Sequence, residues 1–338
     1  MMRYSSHRAQ LLTAFIMILA SLAMAEERPP LDVDRLVPHQ DGISEVRYAN
    51  GLRLLHRENR AADVVATYVF VRVGSIYEGP YLGSGISHYF EHIIHGGSTS
   101  HRTEEAGKEL LVQLGNNSNA YTTRDATVYY IVTDSAHFPK AAELLGDNMA
   151  NCLVAPREFE REKGVIIQEI RKGMDDPGRE LYQILDETMF PGHPEAEPVI
   201  GHEELFRAVT REQLLDFYRR FYVANNITVV ITGNVSLAGA QKTVSEAFRD
   251  TRRGIVEALR LPPVKRQMST QWAERQSAKF KQARILIGHH GVRIDHPDMA
   301  ALDILATIMG DGESSRLGVA LRATGIVENV YASSHTPG

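Results

Sequence analysis

The stretch His88-Tyr89-Phe90-Glu91-His92 decides how this chain is read. On an α-helix, at about 100° per residue, His88 and His92 share a face and Glu91 stands beside them. Two imidazoles four residues apart can hold one metal ion, and H-x-x-E-H is the reverse of the zinc-binding order H-E-x-x-H. A glutamate beside such an ion, and not needed as a ligand, is placed to take a proton from water. The competing reading is a surface helix that happens to carry two histidines and a glutamate. Gly83, Gly85, Gly96 and Gly97 bracket the stretch and predict a helix of about ten residues.

A catalytic zinc commonly keeps three protein ligands and one water, so a third ligand must come from elsewhere. Phe159 to Arg171 reads as a helix whose apolar side is Val165, Ile166 and Ile170. Its Glu162 and Glu169 are two turns apart and project from one face. Acidic pairs at this spacing are common on solvated helices and carry little weight alone. His95 points from nearly the same face as His88, but lies about 4.5 Å farther along the axis than His92. His289 and His290 would alternate faces in a strand, so they cannot serve one ligand-facing side.

With their surroundings, these residues resemble the pitrilysin/insulinase family of inverted-zincin metallopeptidases, in the style of its two-domain, processing-peptidase-like bacterial members. Glu169 follows His92 by 169 − 92 = 77 positions, with Glu162 one heptad before it. Gly74-Ser75-Ile76-Tyr77-Glu78 precedes the motif and Gly97-Ser98 closes it. Asn119 to Tyr130 resembles the family's substrate-binding strand, and Ile200-Gly201, Asn225-Asn226, Thr228 to Val235 and Ser314 to Leu317 continue the likeness. The resemblance implies a zinc metalloendopeptidase with one Zn2+ per chain, held by His88, His92 and Glu169. Glu91 would be the general base, and Glu162 would stand behind the ligands, orienting a histidine or the water. Asn119, Ala120 and Tyr121 would pair through their backbone with a peptide or an unfolded polypeptide segment.

Alternatives stay open at each of these positions. Glu169 could be a solvated salt-bridge residue, Glu162 an exposed acid, and 119–121 an ordinary turn into a strand. For the whole protein the alternative is a non-catalytic polypeptide-binding subunit of a heteromeric peptidase. A scaffold of that kind has no chemical need for the ligand set.

The chain has 338 residues, 43% hydrophobic and 23% charged, which is the composition of a globular protein. A net charge of −5 gives no reason to expect nucleic acid or an anionic membrane as partner. Residues 1–25 read as a signal peptide: Arg3 and Arg8, an apolar run from Leu11 to Ala20, then Ala23-Met24-Ala25. The run is short for a membrane span, so a secreted, periplasmic protein is expected, with a retained N-terminal anchor as the competing reading. Cys152 is the sole cysteine, so no internal disulfide forms, and it reads as a small buried residue.

Strand, helix and turn signals predict an α+β fold, a mostly antiparallel sheet with helices on one face. Asn50-Gly51 marks a hairpin, Val64–Val73, Ala126–Thr133 and Ile227–Ile231 read as strands, and Thr103–Leu114, Phe138–Ala150, Thr210–Tyr222 and Leu237–Phe248 as helices. The expected organisation is a zinc-binding domain over 26–251, a linker over 252–270, and the start of a second domain of the same design over 271–338. In that second part Lys281–His289 and Val327–Ser333 read as strands, Met299–Met309 and Ser315–Ala323 as helices. The copy stops short, and the family's Arg/Tyr pair that holds the substrate carbonyl has no counterpart here. A homo- or heterodimeric partner subunit, or a longer C-terminus, would then supply it.

Overall fold

Asn50 and Gly51 turn the chain between β2 (Ser44–Tyr48) and β3 (Arg53–Glu58). Gly51 adopts φ +91°, and a Cβ there would meet the Asn225 side chain at 2.6 Å, so the turn needs glycine. The structure, a computed structural model, describes residues 28–257, 260–276 and 281–336. The expected signal peptide at 1–25 lies outside them. The other strands are β1 (Val33–Pro38), β4 (Val65–Val71), β5 (Ser118–Thr122), β6 (Thr127–Thr133) and β7 (Ile227–Gly233).

Among the described residues the seven strands form one sheet in the order β1-β2-β3-β7-β4-β6-β5. Only β3 with β7 is parallel; every other pairing is antiparallel. The expected α+β class therefore holds. β5 ends the sheet, so one of its edges has no strand beside it among the described residues.

The period-two pattern of β4 sorts the faces: Val65, Thr67, Val69 and Val71 are buried, while Ala66, Tyr68 and Phe70 are half-buried. Helices α1 (Ile86–Gly96), α3 (Phe138–Asn151) and α8 (Leu237–Ala247) pack against strands of the sheet. α2 (Glu104–Gln113) starts at Thr103, whose hydroxyl accepts from Ala106 N–H, and ends before Gly115 at φ +94°. α7 (Arg211–Phe221) opens with the capping box that Thr210-x-x-Gln213 predicts. Its Phe217 lies 6.2 Å from Phe90 of α1, and Tyr222 shares a 2.8 Å hydroxyl hydrogen bond with Tyr129 of β6. Cys152 is buried as expected, which pushes its thiol up to about 12.

α4 (Pro156–Gly173) is longer than the sequence signals, and its buried stripe is Phe159, Ile166 and Ile170. Val165 does not join them: it is 46% exposed, because it sits one residue, about 100°, off that stripe. α5 (Pro177–Met189) and α6 (Glu203–Ala208) are not foreseen from the sequence.

Beyond Thr251 the expectations fare worse. The expected linker over 252–270 carries no helix or strand among its described residues. α9 (Met299–Gly310) forms as predicted, but 281–289 and 327–333 are not strands. Ile285 and Ile287 are 78% and 81% exposed, with no neighbouring strand to take up their backbone groups. Within 315–323 the regular structure includes a π-type turn, Gly318–Arg322. No helix among the described residues is long and apolar enough to cross a membrane.

Phe217 is fully buried among Phe90, Phe221 and Tyr222. We predict that Phe217→Ala costs about 3–5 kcal/mol of stability, read as a lowered urea midpoint at unchanged m-value. A midpoint equal to that of wild type would show that this aromatic cluster does not hold α1 and α7 together.

Candidate active site

α1 has two faces with opposite duties. Tyr89, Phe90, Ile93 and Ile94 are buried in the core. Tyr89 packs on Phe159 and Phe206, and its hydroxyl donates to the Phe159 carbonyl of α4. The other face presents His88, Glu91 and His92. Glu169 reaches them from α4: its Oε2 stands 3.8 Å from His88 Nε2 and 3.9 Å from His92 Nε2. The three donor atoms all lie within 4.8 Å of one another, and among the described residues no other group of His, Cys, Asp and Glu could hold a metal ion.

The donor set suits zinc. Ligands about 2.0–2.1 Å from one ion at tetrahedral angles stand roughly 3.3 Å apart. The observed separations need only small side-chain movements to reach that figure. His92 Nδ1 is 3.1 Å from Glu162 Oε2, which fixes the ring and leaves Nε2 turned toward Glu169. His88 Nδ1 is buried without a hydrogen-bond partner among the described residues.

Electrostatics separate the two histidines. Burial pulls His88 down to about 3, helped by the positive charges of His92 and Arg179. Burial also opposes the charged form of His92, but the Glu162 hydrogen bond and the charges of Glu91, Glu162 and Glu169 outweigh it and raise its pKa. Glu162 is lowered by its bond to His92, against burial and with help from Arg161. The acids around His92 thus favour its charged form, whereas burial disfavours the charged form of His88.

Glu91 is 8% exposed, and its Oε2 accepts a 2.6 Å hydrogen bond from Thr122 Oγ1 at the end of β5. Burial raises its pKa, with Thr122 and His92 pulling the other way and Glu169 adding to the rise. Asn119 and Tyr121 are exposed on β5, and Ala120 is buried between them. The sequence residues thus come together as one patch: the His88, His92 and Glu169 group, Glu91 beside it, Glu162 behind it, and β5 leading up to it. His95 stays out of the group, and lines a separate cavity of about 30 Å³ with Arg102, Ser118 and Asn148. His290 is exposed and turned to the Met189 carbonyl.

Sequence reading missed several residues that hold this patch. Thr122 had no local signal for its bond to Glu91. Arg124, in the β5–β6 turn, hydrogen-bonds Asp186 of α5, and its Nε stands 3.0 Å from Glu195 Oε2 without hydrogen-bond alignment. Glu78 is 1% exposed, and its Oε1 accepts from Ser87 N–H in the first turn of α1. Its Oε2 has no partner, and burial pushes its carboxyl up to about 8.

A mostly antiparallel α+β domain with an H-x-x-E-H helix facing a downstream glutamate defines a class, the inverted zincins. Comparison with known proteins agrees. Residues 53–203 match the family described as insulinase (peptidase family M16), and residues 208–338 match the peptidase M16 inactive domain. A Rickettsia felis protein named as an uncharacterized zinc protease is 29% identical over 293 residues, covering 84% of this chain and 69% of that one. Subunit 1 of the bovine mitochondrial cytochrome b-c1 complex is 30% identical over 265 residues, covering 77% of this chain and 54% of that one. In fold, the chain is similar to a solved protease of Helicobacter pylori, with a TM-score of 0.71 at 22% identity, over 88% of this chain and 73% of that one. The chain belongs to the insulinase family of peptidases, family M16.

Glu78 carries a testable pH signature. Its folded pKa of about 8 lies above the ordinary 4.5, so between those values the folded state binds more protons than the unfolded one. Stability held at low pH is therefore lost as pH rises from about 5 to 8. Glu78→Gln keeps the carbonyl that caps Ser87 and cannot ionise. We expect it to gain stability relative to wild type over that interval, measured by thermal melts at each end. Parallel pH profiles for the two proteins would refute the assignment.

Proposed function

We propose that this chain is a zinc-dependent metalloendopeptidase that hydrolyses bonds in peptides or unfolded polypeptide segments. The observation that carries the reading is the meeting of His88, His92 and Glu169 within 4.8 Å, with Glu91 tied to the end of an open-edged strand. When bound by those three side chains, zinc supplies Lewis-acid charge and lowers the pKa of a water. Glu162 holds the His92 ring so that Nε2 is turned toward Glu169, where it would serve as a ligand. Glu91 takes the water proton and returns it to the departing amine, work that its raised pKa suits. An extended peptide adds to the free edge of β5, and backbone groups of Asn119, Ala120 and Tyr121 hold it in line with Glu91. Main-chain pairing of this kind selects an extended polypeptide over a small molecule.

The side chains of His88, His92 and Glu169 are 14%, 23% and 37% exposed, so the site stands open to water. Closure by a partner subunit or further chain would exclude that water and complete the carbonyl-holding set. The signal-like N-terminus of the sequence supports export to the periplasm as the place of action.

A second reading, a non-catalytic polypeptide-binding subunit, draws on the likeness to a subunit of the cytochrome b-c1 complex. One variant separates the two. Glu91→Gln should keep zinc, since Glu91 is outside the ligand group, yet lower kcat on a quenched peptide by about 10² to 10⁴. His92→Ala should lose the metal, read by elemental analysis of the purified protein. Equal cleavage by Glu91→Gln and wild type would end the peptidase mechanism, and equal zinc in His92→Ala would end the ligand assignment.

A further inference from the structure

Arg179 is the third residue of α5, where the helix dipole disfavours a cation. It is exposed. The acids around it are engaged elsewhere: Asp176 caps Gly178 N–H, Glu180 faces Arg275, and Asp186 is bound by Arg124. Its position therefore does not follow from helix stability or from a structural ion pair.

The course of its side chain is informative. The guanidinium folds back over Gly173, the last residue of α4, where a Cβ would stand 3.0 Å from Arg179 Nη1 and 3.4 Å from its Cδ. Gly173 follows Glu169 by one turn on the same face of α4. The absent side chain at 173 thus leaves the space that Arg179 occupies, one turn beyond Glu169 on α4. An exposed guanidinium lying over the residue one turn beyond Glu169, with its fork uncommitted among the described residues, matches a planar anion.

We propose that Arg179 is a specificity determinant which binds a carboxylate of the peptide substrate close to the scissile bond, either an acidic side chain or the free C-terminus. The inference rests on the peptidase reading above for the identity of the ligand as a peptide. It does not place Arg179 in the bond-breaking step.

The test uses the metal-stripped full chain and fluorescently labelled peptides of one sequence in two matched pairs. One pair exchanges Glu for Gln beside the cleaved position, and the other exchanges a free C-terminus for an amide. For one of the pairs, wild type should bind the charged member up to about fivefold tighter, the range of an exposed ion pair, and salt should erode the difference. Arg179→Gln should bind both members alike, and Arg179→Lys should keep part of the preference. The pair that responds tells a side-chain carboxylate from a C-terminal one. Equal binding by wild type within both pairs, or an undiminished preference in Arg179→Gln, overturns the proposal. Because binding is read without metal, failure of the zinc-loaded chain to hydrolyse any peptide would count against the peptidase reading separately.

Discussion

Everything at this site depends on the rotation of one eleven-residue helix about its own axis. α1 buries Tyr89, Phe90, Ile93 and Ile94 on one side and offers His88, Glu91 and His92 on the other. A turn of about 100°, one residue's worth, would put an imidazole in the core and an aromatic ring against Glu169. The core prevents this from three directions. Phe90 sits against Tyr218 and Tyr222, Tyr89 is held by Phe159 and Phe206, and Glu78 caps the first turn from below. Burying several aromatic and branched side chains at about 1.5–3 kcal/mol each far outweighs the cost of holding a few polar groups half-buried opposite them. Packing therefore fixes the geometry of the face that carries His88, Glu91 and His92.

The electrostatics follow from that placement. Three carboxylates, Glu91, Glu162 and Glu169, surround two histidines in a partly desolvated space. The two histidines meet these acids unequally. His92 takes the carboxylate bond and a raised pKa, while burial pulls the pKa of His88 down and its Nδ1 has no partner among the described residues. A divalent ion held between the two Nε2 atoms and Glu169 would need neutral imidazole nitrogens and would balance the acids. Glu78 repeats the pattern one turn away, a buried acid whose Oε2 finds no partner while Oε1 does a capping job. Polar groups that would be expensive in an ordinary core gather around α1 because they orient it or act beside it.

How much of this was legible in the sequence depends on how local each signal is. The helix of the motif, the Thr210 capping box and the Asn50-Gly51 turn are set by residues a few positions apart, and each formed where the pattern put it. Glu169 lies 77 positions from His92, and nothing in its own helix distinguishes it from a solvated acid; the family likeness singled it out. Thr122 and Arg124 act through contacts that only the folded sheet creates. α5 was overlooked although Asp176-Pro177 gives it a capped, proline-led start. The failures at 281–289 and 327–333 have a different cause. A run of β-prone residues is a strand only where another strand meets it, and the described residues there supply none.

The order of the sheet explains why the β5 edge and the His88, His92 and Glu169 group lie side by side. β7, last in sequence, inserts between β3 and β4, so the hairpin of β5 and β6 is pushed to the end of the sheet. There β5 keeps one edge free, which in most proteins is a liability for unwanted pairing. Here the strand is only five residues long, and its last residue, Thr122, is bonded to Glu91. The Arg124 turn is anchored to Asp186, which stops the hairpin from lifting away from α5. A short, clamped edge has room for one extended chain beside the His88, Glu91 and His92 face of α1, yet has little length over which to recruit a second sheet. The same restriction that guards against unwanted pairing thus fixes β5 beside Glu91.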